Sequence, residues 1–179
     1  MCLEVNHGGA SIVGAFAIPD LDCDNPSVRI SAKADYAVRA ALELAAHEGG
    51  DPVKGERLAE AQGIPLQFLE HILLELKHAG LIQARRGARG GYWLARQADR
   101  ITVADVIRAV EGPLANIHEN APEELHYGGS AERLRDVWVA VRAALRSVLE
   151  NVTLAELASG NLPWRIDAIL NNPEAWIKR

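Results

Sequence analysis

Three guanidinium groups crowd one short glycine-rich stretch. In LIQARRGARGGYWLAR (81–96), Arg85, Arg86 and Arg89 stand among Gly87, Gly90 and Gly91. Ile82 and Ala84 alternate before the glycines and Tyr92, Trp93 and Leu94 follow them, a pattern that predicts a β-hairpin with a Gly/Arg tip. Guanidinium groups on a narrow tip suit a phosphate backbone or a narrow minor groove. A second set precedes the hairpin. Gln67, Glu70, His71 and Leu74 are spaced i, i+3, i+4, i+7 and share one helical face. Gln reads adenine and Glu accepts from cytosine N4 in a major groove. A carboxylate beside phosphate is costly unless it meets a base, so Glu70 within a basic surface points to base contact. Lys33, Arg39 and Lys54 complete the set as candidate phosphate clamps.

Other chemistries find less support. His118, Glu119, Glu123, Glu124 and His126 form a cluster of nitrogen and oxygen donors, which could hold a divalent ion. A solvated acidic loop is the favoured reading, so no metal is expected; His118 and His126 are the candidate ligands if one is bound. Cys2 and Cys23 are the only cysteines and precede the patterned body, which excludes a disulfide framework or a multi-cysteine metal site there. No Ser/His/Asp order, P-loop or dinucleotide fingerprint occurs, and no enzyme is expected.

These residues need elements to hold them. Ser31 to His47 is predicted as a helix through Tyr36, Ala37, Ala40, Ala41, Leu44 and Ala45, with Gly49 and Gly50 as its stop. Residues 54–62 form a short second helix ending at Gly63. Residues 66–79 form a third, with Phe68, Leu69, Ile72, Leu73 and Leu76 inward and Gly80 beyond its end. Two helices joined at one glycine and followed by a basic hairpin give the order of a winged helix-turn-helix. Thr102 with Asp105 predicts a capping box and a helix to Gly112; Thr153 with Glu156 predicts another. Between them, Leu134, Trp138, Val141, Leu145, Val148 and Val152 recur at alternating steps of four and three over a helix spanning 130–151. That seam is either the packing face of an intramolecular helix or a dimer interface, and the dimer is the favoured reading, because a winged domain of ~70 residues offers little surface to cover so long a stripe.

The expected fold class is therefore mainly α with a small β-hairpin wing: a winged helix-turn-helix plus a long dimerisation helix. Residues 1–28 are expected as a poorly ordered extension, with Val28 a candidate native start. Residues 29–100 form the DNA-binding domain, 101–129 a linking helix and loop, 130–160 the dimerisation helix and a short capping helix, and 161–179 a tail. Trp164, Ile169 and Trp176 are the tail's candidate docking side chains. Net charge is −5, which alone argues against a nucleic-acid binder, but 29–100 hold eleven basic against nine acidic residues. Five arginines against one aspartate lie within 83–100, so the positive field is local. No apolar run approaches the ~18 residues of a membrane span, and no signal-peptide pattern opens the chain, so a cytoplasmic protein without membrane contact is expected.

In order and spacing, RISAKADYAVRAALELA, GIPLQFLEHILLELKHAGLI, RRGARGGYWLAR, ITVADVIRAVEGPL and VTLAEL resemble the IscR/NsrR/CymR-type family of bacterial winged-helix transcriptional regulators, over about 29–157. The resemblance implies a homodimer on palindromic double-stranded operators, usually repressing, with the long helix crossing to its partner and the wing reaching the minor groove. By position it makes Gln67, Glu70 and His71 base readers and puts Arg86 and Arg89 at the wing tip. Two departures stand out. Sensor members carry three cysteines between the helix ending near Gly112 and the long helix, where LANIHENAPEELHYGGSAERL has none; an iron–sulfur cluster is therefore not expected, and no other cofactor is. Pro65 stands where relatives often carry a capping Ser; it suits the first turn of a helix but removes a hydroxyl. The effector is left open between a small molecule, a partner protein and none, with a pocket between wing domain and long helix near Tyr127 and Trp138 as its expected place. Two alternative functions are carried: a winged-helix module that binds protein, and a His/carboxylate metal-sensing regulator.

Overall fold

The computed structural model describes residues 30–117 and 120–177. The extension 1–28, both cysteines and His118 lie outside the described residues. Helix α1 (Ala32–Ala46) is the hub. Ser31 caps it by accepting from the Ala34 amide at 3.0 Å. Its buried face is paved by Ala37, Ala40, Ala41 and Leu44, and small side chains let neighbouring backbones approach closely. Helices α2 (Gly55–Gln62), α3 (Leu66–His78), α4 (Val103–Glu111) and α6 (Leu154–Ser159) all pack on it.

Helix α2 stops at Gly63, whose φ of +60° turns the chain into α3. Pro65 is the N-cap of α3, one residue ahead of the first helical position, and its carbonyl accepts from the amides of Phe68 and Leu69 at 3.0 Å. Leu69, Ile72, Leu73 and Leu76 are fully buried. Phe68, expected inward, is 44% exposed and meets Tyr36 edge-on at 5.8 Å. Its angle on the helix puts it at the margin of the stripe, where an aromatic ring on α1 receives it.

Strands β1 (Ile82–Arg85) and β2 (Gly91–Leu94) form the antiparallel wing in the register Ile82↔Leu94 to Arg85↔Gly91. Val53 pairs with Tyr92 through two main-chain bonds of 2.8 and 2.9 Å, so the segment before α2 lies along the hairpin.

Both capping boxes form, Thr102 with Asp105 and Thr153 with Glu156. They sit side by side: Val103 N–H donates to Val152 O and Leu154 N–H to Ile101 O, each at 2.9 Å. The long helix α5 spans Leu134–Leu149, four residues shorter at its start than expected and two at its end. A short turn over Gly129–Ala131 replaces its first residues. Val152 consequently lies beyond α5, 6% exposed and held in its own chain's core; the seam of α5 stops at Val148. The tail contains a further helix, α7 (Trp164–Leu170), and a turn over Pro173–Trp176. Among the described residues no helix is long and apolar enough to cross a membrane.

Candidate nucleic-acid interface

Burial of Leu69, Ile72, Leu73 and Leu76 forces the opposite face of α3 outward. Gln67, Glu70, His71 and Leu74 are exposed there, and no side-chain hydrogen bond or ion pair engages Gln67, Glu70 or His71 among the described residues. Between this face and the wing runs a groove of about 480 Å³, lined among others by Lys54, Glu70, Leu74, Lys77, Arg85 and Arg86. Lys77 was missed in the sequence reading. It stands seven residues after Glu70 on the same face, and that spacing could have found it.

The wing tip is sterically committed to glycine. A Cβ on Gly90 would fall 2.1 Å from Arg85 O, and one on Gly91 2.6 Å from Val53 O. Gly87 has φ of +102°, which glycine adopts without strain. Arg85 Nη2 donates to Arg89 O at 2.8 Å, closing the tip internally. The guanidinium groups of Arg86 and Arg89 are exposed and make no hydrogen bond or ion pair among the described residues. Lys54, expected as a phosphate clamp, donates from Nζ to Gly87 O at 2.7 Å across the groove.

Two other expected clamps are engaged inside the protein. Lys33 Nζ lies 2.9 Å from Glu75 Oε2 and donates to Val110 O at 2.7 Å, tying α1 to α3 and α4. Arg39 bonds Asp35 at 3.2 Å and the Gln62 carbonyl, with its guanidinium 5.4 Å over the Tyr36 ring. Each has its donors facing partners of its own chain, so both act as struts between helices.

On α5, none of the sixteen residues is buried. Leu134, Trp138, Leu145 and Val148 are half-buried, and Val137, Val139 and Val141 are exposed. The Trp138 indole N–H is enclosed but has no acceptor among the described residues. Ion pairs hold the helix at its middle and at its C-terminal end, Arg142 with Glu123 and Glu150 with Arg108 and Arg146. A hydrogen bond from its own backbone, then one from Arg142, holds Glu123 below the ordinary carboxylate value. For Glu150 the bond from Arg108 does so first, and Arg146 adds to it.

The expected effector pocket near Trp138 takes a different form. A shallow hollow of about 210 Å³ is lined by Leu125, His126, Tyr127, Glu132 and Arg135, and Trp138 is not part of it. His126 is exposed and its Nδ1 lies 2.8 Å from the Glu124 carbonyl.

Comparison with known proteins agrees with this geometry. The family model described as "Rrf2: Iron-dependent Transcriptional regulator" matches residues 30–160. The candidate HTH-type transcriptional regulator Rv1287 of Mycobacterium tuberculosis is 47% identical over 148 residues, covering 83% of this chain and 92% of the relative. The HTH-type transcriptional regulator CymR of Bacillus subtilis is 34% identical over 132 residues, 74% of this chain and 91% of that protein. The solved structure of CymR, the global cysteine regulator of B. subtilis, superposes with a TM-score of 0.64 over 75% of this chain and 98% of that one, at 34% identity. That of T. potens IscR gives 0.59 over 85% and 93%, at 33% identity. The family description implies iron. Among the described residues no group of three His, Cys, Asp or Glu side chains is placed to share an ion, and residues 113–133 contain no cysteine, so the described donor set does not fit such a centre. A basic wing beside a free polar helix face, on a chain matched over 30–160, identifies this protein as a member of the Rrf2 family of DNA-binding transcriptional regulators.

Proposed function

We propose that the chain acts in the cytoplasm as a homodimeric repressor on a palindromic operator, with α3 in the major groove and residues 85–91 in the minor groove. One observation carries the reading. Glu70 on α3 and Arg86 on the wing line the same groove, and Gln67 and His71 stand exposed on the same helical face as Glu70, all four with their polar groups unengaged among the described residues. A two-fold pair of such surfaces would meet successive major grooves, one helical turn apart. The exposed apolar face of α5, with an indole N–H that lacks an acceptor among the described residues, supports pairing through that helix. Repression is the assigned sign because a dimer clamped over a promoter excludes polymerase.

The test is protection mapping and a salt titration on the fragment upstream of the protein's own gene. Two protected half-sites about 34–36 Å apart, with affinity falling steeply as salt rises, are expected. Binding that ignores salt and sequence would instead favour the protein-docking module.

A further inference from the structure

Among the described residues twelve large apolar side chains stand exposed, and they are not scattered. Three lie on α5, and five lie within the tail: Trp164, Ile169, Leu170, Trp176 and Ile177. Both tryptophans are more than 70% exposed. The match to the family model ends at residue 160, before this segment begins. Exposed apolar side chains concentrated in one segment mark a candidate interaction surface.

The segment is ordered by its own bonds. Pro163 O accepts from the Ile166 amide at 2.8 Å, and the Trp176 indole donates to Leu170 O at 2.7 Å. Asn172 Oδ1 accepts from the Glu174 amide at 3.1 Å. A surface already shaped loses less freedom on docking. We infer that residues 161–177 clasp the α5 helix of a second copy of this chain; this rests on the dimer proposed above.

Area is the first argument for that occupant. Sixteen residues of α5 make a helix about 24 Å long and roughly 10 Å across, whose single face presents on the order of 300–500 Å². A stable interface buries about 800 Å² per partner, so α5 alone falls short. Two indoles, each worth about 150–250 Å² when buried, with Ile169, Leu170 and Ile177, make up the difference. The second argument is complementarity. Both surfaces are apolar and unpartnered in one chain, and neither covers the other there. Charge is opposite in sign, because Leu134–Leu149 carries three Arg and one Asp while 161–177 carries one Arg, one Asp and one Glu.

Sedimentation of the full chain and of the double variant Trp164→Ser/Trp176→Ser tests the inference, with circular dichroism as the check on folding. The full chain is expected to be dimeric, and the variant to keep its helix content while its dimer dissociation constant rises at least tenfold. A photo-crosslinking residue at 176, in a mixture of heavy and light copies, is expected to link the tail to α5 of the other copy. An unchanged dissociation constant, or links confined to one copy, overturns the clasp and leaves the α5 dimer standing. A full chain that is monomeric at every concentration overturns the dimer and the clasp together.

Discussion

Lys54 and Arg86 are both cations on one groove, yet they differ in what their donors meet. The Lys54 ammonium holds the Gly87 carbonyl, whereas Arg86 is unengaged. Replacing Arg86 by Ala should lower the dependence of log K on log salt by about one unit, as one phosphate contact disappears. Lys54→Met should weaken operator binding with the salt slope nearly kept, because it loosens the wing; a slope reduced by a full unit would return Lys54 to the phosphate. Steric limits at the tip are stricter. Gly91→Ala sets a methyl against Val53 O and should cost about 1–3 kcal/mol in denaturant unfolding. Lys33→Met leaves Glu75 and Val110 O without their donor and, at a site one-third exposed, should destabilise by about 1 kcal/mol. Such partners were invisible in the sequence. Lys33 meets residues 42 and 77 positions away, and spacing along a chain says nothing of contacts made that far off. The exposed face of α3 was legible because burial of its opposite stripe dictates it.

Elements divide the same way. Both capping boxes could be read because each closes within three residues, and the hairpin because its glycines have no substitute. The end of α5 could not be read. Heptad spacing runs on to Val152, but a main-chain bond from Val103 to Val152, beside one from Leu154 to Ile101, draws that residue into the core. The ion pairs at the middle and the C-terminal end of α5 make its attachment sensitive to acid. Glu123 and Glu150 have folded values lowered from 4.5, so they stabilise the folded state at neutral pH. That contribution is complete above 4.5 and is lost as pH falls through the lowered values. Between pH 7 and about 3, the wild type should lose more thermal stability than Glu150→Gln, whose amide does not titrate; equal losses would show that the pair with Arg108 does not contribute.

The whole molecule joins a well-packed DNA-facing body to a helix with no buried residue. A charge on the exposed face of α5 should therefore spare the fold. Val141→Asp is expected to give a monomer with an unchanged melting temperature at low concentration and at least tenfold weaker operator binding. A dimer that survives this change would move the interface elsewhere.

The bridge between residues 102 and 153 has a mechanical consequence. Two main-chain hydrogen bonds weld the foot of α5 to the head of α4, and α4 rests on α1, so the long helix behaves as the handle of a rigid tool. Swinging a 24 Å handle through about 5° moves its far end by about 2 Å. In the proposed dimer two such tools would be hinged at their handles as a caliper, with the angle at the hinge fixing the gap between its jaws.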